Sequence, residues 1–174
     1  MTVLWLTGPT LSGKSTYAEI LRAQGIRVLS LGETLKASLS EEELLALKSD
    51  RTPSAPSFLD LRALAEVRRF LAKNFDQPLV AVDGFPRTPD QAQKLVRGWG
   101  SHSVVMWFNP PDEVEFWSRV KRRGDDPALV RNRVTTEPYH LSQTFRCLKN
   151  AEVLVVFVSG DRLPAFVPVV FPQP

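Results

Sequence analysis

Three observations predict an α/β protein of three layers, α/β/α, built on a five-stranded parallel sheet. Short apolar runs alternate with helix-period segments along most of the chain, and strand–helix–strand alternation implies right-handed crossovers and a parallel sheet covered on both faces. The five runs are continuously apolar rather than alternating, the pattern of strands buried on both sides. The chain has 174 residues, 43% of them hydrophobic, and a single cysteine. That is enough for one domain with a substantial core and no disulfide framework.

In chain order, residues 3–6 form the first strand, and the helical pattern 15–23 follows a glycine- and lysine-bearing loop. A second strand is expected at 26–30. The helix expected at 41–48 opens on Glu41-Glu42-Glu43, acids that suit the positive end of a helix dipole. Residues 49–57 (SDRTPSAPS) read as a Pro/Ser-rich connector to a helix at 59–74. The third strand, 79–82, ends against Asp83; helix 89–96 and strand 104–108 follow. Helical patterns at 112–122 and 127–149 precede a last strand at 153–158. The tail carries prolines at 164, 168, 172 and 174, which forbid a long closing helix. No internal repeat is visible. The expected organisation is one domain over 1–162 and a Pro-rich tail over 163–174.

Composition narrows the function classes. One cysteine excludes a Cys-rich zinc site, and two histidines leave little for a His-based one. No apolar run approaches the roughly 18 residues of a membrane span, so no membrane association is expected. The stretch Thr2-Val3-Leu4-Trp5-Leu6 lacks a basic leader, so a reducing, cytoplasmic setting is expected. The net charge of +3 and pI near 9.2 would by themselves suggest nucleic acid. The charge is local, however. Residues 119–133 hold six basic residues against two acids, a net +4, which leaves −1 for the rest of the chain. That describes an anion site on a near-neutral protein, so nucleic acid is not expected as a partner.

Gly8-Pro9-Thr10-Leu11-Ser12-Gly13-Lys14-Ser15 matches G-x-x-x-x-G-K-S in full, with an apolar strand before it and a helix after it. Glycines let the backbone wrap so that successive N–H groups point inward, and the following helix adds its positive end. Lys14 then reaches the β- and γ-phosphates and the Ser15 hydroxyl ligates Mg²⁺, while Thr10 and Ser12 offer further hydroxyls. The loop, with Thr16 behind it, reads as a nucleoside triphosphate site.

A second motif follows the third strand: Asp83-Gly84-Phe85-Pro86-Arg87-Thr88-Pro89-Asp90-Gln91. Asp83, at the C-terminal end of a strand beside the loop, is placed to hold a metal-bound water. Arg87 follows a rigid proline, so its guanidinium is aimed for a bidentate grip on phosphate.

The D-G-F-P-R-T-x-x-Q run, lying 75 residues after the start of the phosphate loop, resembles the adenylate kinase family of nucleoside monophosphate kinases. Ser30-Leu31-Gly32-Glu33-Thr34-Leu35-Lys36 is similar to the segment that opens that family's monophosphate-binding lobe, an insert expected over about 31–60. Arg119 and Arg123 resemble the R-x-x-x-R entrance to its lid. Asp125-Asp126 with Val130-Arg131-Asn132-Arg133-Val134 resembles the far side, giving a minimal lid over about 119–133. Ser159-Gly160 resembles the turn that contacts the donor adenine. The resemblance covers residues 2 to about 162.

The resemblance implies a P-loop kinase fold, ATP with Mg²⁺ as the donor of the γ-phosphate, and a nucleoside monophosphate acceptor, with AMP leading. The expected state is a monomer. Lys14 and Ser15 would hold donor phosphates and Mg²⁺, the latter with Asp83 through water, and Arg119 and Gly160 would lie on the donor nucleotide. Lys36 and Arg87 would hold the acceptor phosphate and Gln91 its base, with Leu31, Gly84, Phe85 and Arg131 lining that side. Lys14, Arg87, Arg123 and Arg133 would stabilise the phosphoryl group in flight, as a reaction that runs on positioning and positive charge requires.

Three departures from the family pattern bear on function. Lys36 stands where the family has arginine and lacks its bidentate fork. Leu31 replaces a small or hydroxylated residue beside the acceptor base, which keeps a CMP/UMP or deoxynucleoside monophosphate kinase open. Arg123-Gly124-Asp125-Asp126 fuses two motifs that the family separates, so Arg123 serves both or Arg122 takes one. Readings of another class are a weakened nucleotide-binding sensor or assembly factor and a polynucleotide 5′-hydroxyl kinase. Against the latter, the charge is confined to the lid and follows no extended groove. Trp5 and Trp107 fall in strand patterns and read as core, Cys147 reads as inert, and His102 and His140 have no partner motif.

Overall fold

The first strand, five of whose six residues are buried, takes the centre of the sheet. In the computed structural model, which describes residues 1–40, 57–151 and 153–159 and the side chains of all of these but 57–60, 129 and 132–136, β1 (Thr2–Thr7) lies between β3 (Leu79–Asp83) and β4 (Ser103–Phe108). β2 (Arg27–Ser30) and β5 (Leu154–Val158) form the edges, giving the order β2-β3-β1-β4-β5 with every pair parallel. The helices are α1 (Lys14–Ala23), α2 (Leu31–Ser38), α3 (Ser57–Lys73), α4 (Pro89–Trp99), α5 (Glu113–Arg123) and α6 (Pro127–Asn150).

Alternation along β1 divides the core in two. Val3 and Trp5 face a cluster that includes Val67, Leu71, Phe85, Leu95 and Leu148, from the α3, α4 and α6 side. Leu4 and Leu6 face Tyr17, Ala18 and Leu21 of α1, with Met106 and Phe108. The expected three-layer α/β/α arrangement on a five-stranded parallel sheet is therefore present. The buried Trp5 indole donates to Ser103 Oγ at 2.8 Å, and that hydroxyl donates to the Trp99 carbonyl at 2.6 Å. Both polar groups are thus satisfied inside the core.

The sheet sets the location of the site. The chain leaves β1 toward β2 and β3, then crosses to β4 and β5, so the strand order reverses beside β1. Crevices at such reversals, outside the carboxyl ends of the strands, are where α/β sheets bind ligands. Leu6 pairs with Asp83 in register, which brings the end of β3 beside the loop that leaves β1.

Several expectations are corrected in detail. β5 is not buried on both sides: Leu154 and Phe157 are more than half exposed. Among the described residues it is an edge strand with a neighbour on one side only, and Val158 alone of its residues is fully buried. Residues 31–38, absent from the expected helices, form α2. The helix expected at 41–48 and nearly all of the connector 49–57 lie outside the described residues, as does the tail. Ser57, expected in that connector, instead begins α3. Among the described residues, no helix is long and apolar enough to cross a membrane.

Candidate active site

The loop between β1 and α1 has the backbone its glycines anticipate. Gly8 has φ +138° and Gly13 φ +96°, conformations natural to glycine. Gly8 also has no room for a side chain, since a Cβ there would lie 2.4 Å from the Phe108 carbonyl oxygen. Gly84 shares a positive φ, +89°, but has open space around it. Gly8→Ala should therefore cost about 2–5 kcal/mol, adding overpacking to backbone strain, whereas Gly84→Ala incurs strain alone at about 1–3 kcal/mol. Chemical denaturation of the two variants checks this, and equal losses would contradict it.

A cleft of about 390 Å³ opens on the loop, lined by residues 11–16 and by Glu115, Arg119, Arg122 and Arg123 of α5. Arg119 lies across it. Its Nη1 donates to the Leu11 carbonyl at 2.8 Å and its Nε to Glu115 at 2.7 Å. Arg122 reaches the same carboxylate at 3.4 Å, and Arg123 pairs with Asp125 at 3.3 Å. The Arg119 hydrogen bond is the largest influence holding the Glu115 carboxyl below its ordinary value. Under the cleft, Leu11 packs with Val120 and Val130, so one apolar contact fixes the loop against both α5 and α6.

Lys14 sits at the loop's centre with its ammonium donating to the Pro9 carbonyl at 2.5 Å and to Ser12 Oγ at 3.1 Å. Burial, then the nearby Arg87 cation, lowers its pKa from 10.5 to about 8. Ser15 Oγ donates to Asp83 Oδ2 at 3.2 Å. Burial pushes the Asp83 carboxyl up, partly opposed by Lys14 and by the Ser15 bond.

Glu137 of α6, absent from the residues that motif spacing singles out, is the site's central acid. It accepts from the Thr10 backbone N–H at 2.8 Å, from the Thr10 hydroxyl at 2.5 Å and from Arg87 Nη2. Although burial opposes it, Arg87, the Thr10 bonds and Lys14 hold its carboxyl below the ordinary value. One signal in the sequence points to it: Glu137 is the only acid in the 24 residues of α6.

The remaining candidates fall in different surroundings. Gln91 is buried, and its Oε1 accepts from the Arg87 backbone N–H at 2.8 Å, which braces the turn that aims Arg87. Leu31 and Phe85 are core residues, 3% and 0% exposed, with Phe85 5.4 Å from the Trp5 ring. Lys36 is exposed on α2, and the Arg131 guanidinium lies over the Trp117 ring at 5.3 Å. Thr16 is exposed beside Ser15. Gly160 and the Arg133 side chain lie outside the described residues. Helix α5 ends on Gly124, at φ +66°, and α6 begins at Pro127 behind the N-cap Asp126, so three residues join them.

An apolar strand running into a Gly-Lys-Ser loop and a helix, at the reversal point of a parallel sheet, defines a P-loop nucleotide-binding domain. Residues 7–131 match the family model described as an AAA domain. An adenylate kinase of Nocardia farcinica is 28% identical over 166 residues, covering 89% of this chain and 88% of that protein. An adenylate kinase of Mycobacteroides abscessus is 31% identical over 141 residues, covering 74% of this chain and 76% of that protein. The chain belongs to the adenylate kinase family. These relatives support nucleoside monophosphate kinase chemistry in general terms.

Proposed function

We propose that the protein transfers the γ-phosphate of ATP to a nucleoside monophosphate, with AMP as the leading acceptor. The observation that carries this is the convergence of the two phosphate grips. Arg87, from the turn after β3, and Thr10, from the phosphate loop, bond to the same carboxylate of Glu137. A donor phosphate on the loop and an acceptor phosphate on Arg87 would thus meet within one small volume, as in-line transfer requires.

In this reading the loop amides and Lys14 hold the donor phosphates, Arg119 covers the donor side, and Arg87 orients the acceptor phosphate. Arg123 lies near enough to Lys14 to act on its charge and would stabilise the moving phosphoryl group, with Arg133. Ser15 Oγ and Asp83 Oδ2, 3.2 Å apart, form the hard-oxygen pair that suits Mg²⁺ arriving with the nucleotide. Bound there, the ion would neutralise charge developing on the phosphates.

Coupled ADP formation with AMP, CMP, UMP and deoxynucleotide acceptors tests the proposal. Turnover of roughly 1–100 s⁻¹ with one acceptor is expected; less than about 10⁻² s⁻¹ with all of them would favour a nucleotide-binding sensor. A second expectation follows from the three-residue link between α5 and α6. So short a cover excludes water poorly, so ATP should be hydrolysed without acceptor faster than by a long-lid relative. Undetectable acceptor-free ATP loss would sink that expectation.

A further inference from the structure

We propose that Glu137 is a built-in anion that takes the phosphoryl position beside the loop and competes with the phosphates of incoming nucleotide. This rests on the reading of the loop and Arg87 as phosphate grips.

Glu137 makes the contacts a phosphate would make. It takes a loop amide, a loop hydroxyl and a guanidinium, three donors suited to one anion. Its side chain is only 13% exposed, and α6 supplies no other acid that could replace it. The Lys14 ammonium bonds to Pro9 and Ser12 of its own loop. A polyanion binding at the loop must therefore take the Thr10 amide and hydroxyl from Glu137 and approach a carboxylate that has lost those two donors.

The opposing reading makes Glu137 a tie that holds α6 to the loop. The two differ in sign. Removing a tie weakens nucleotide binding, whereas removing a competitor strengthens it. Glu137→Gln keeps the shape and removes the charge. Calorimetric titration of the full chain with inorganic tripolyphosphate and with ATP should give affinities about tenfold higher for E137Q than for wild type. Adenosine, which has no phosphate, should bind both alike.

Equal or weaker tripolyphosphate binding by folded E137Q overturns the proposal while leaving the phosphate-loop reading intact. No binding of tripolyphosphate or ATP by either protein overturns both. A second measurement needs no variant. With glutamate carboxyls labelled for NMR, saturating tripolyphosphate should shift the Glu137 carboxyl resonance in the wild-type protein. An unmoved resonance overturns the proposal even if E137Q fails to fold.

Discussion

Arg87→Ala should lower kcat by about 10³-fold or more while changing ATP affinity by only a few fold, the scale of loss seen when a transition-state arginine is removed from a phosphoryl-transfer site. The reason lies in how the side chain is mounted. Its backbone N–H is fixed by the buried Gln91 carbonyl, and Thr88 caps α4 through the Gln91 N–H. The guanidinium therefore projects from a braced turn toward the loop, where it reaches Glu137. Arg87 is not among the residues that line the cleft that would hold the donor, which come from the loop and α5. Steady-state kinetics with calorimetric ATP binding separates the two effects. A loss of ATP affinity as large as the loss of rate would contradict the assignment. Gln91→Ala should reproduce part of the kcat loss through positioning alone.

The parts of this site that are local along the chain are legible in the amino-acid sequence. The phosphate loop declares itself because the wrap, the lysine and the helix start must be contiguous. The strand ending at Asp83 and the turn through Arg87 do so because the run Asp83-Gly84-Phe85-Pro86-Arg87 is contiguous. What the sequence hides is set by tertiary packing. Glu137 meets Thr10 across 127 positions, a contact that no spacing rule encodes. Phe85 and Leu31 lie in one buried cluster with Trp5 and Leu64, a packing that no motif spells out. β5 reads as buried because its residues are apolar, yet among the described residues its edge position leaves one side without a strand.

ATP affinity should fall as pH rises above 8 in the absence of added metal, by up to roughly tenfold per pH unit until the raised pKa of Lys14 in the complex is reached. In the ligand-free protein the Lys14 ammonium is surrounded by groups of both signs. Burial, Arg87 and Arg123 disfavour its charge, Asp83 and Glu137 favour it, and the balance places its pKa at about 8. A triphosphate adds negative charge beside it and raises that value. Binding then takes up a proton wherever the free lysine has lost one, so affinity declines as pH rises through that window. Folding stability should move in the opposite direction. Lys14 is easier to deprotonate in the native protein than in the unfolded chain, whose lysine keeps a pKa near 10.5. Between those two values the unfolded state binds more protons, and this residue makes the ligand-free protein more stable as pH rises. Calorimetric titration across pH 7–10 checks the first trend and chemical denaturation the second. Lys14→Met, which has no titrating group there, should bind ATP more weakly and abolish the slope. A slope that persists in that variant would place the titrating group elsewhere in the cleft.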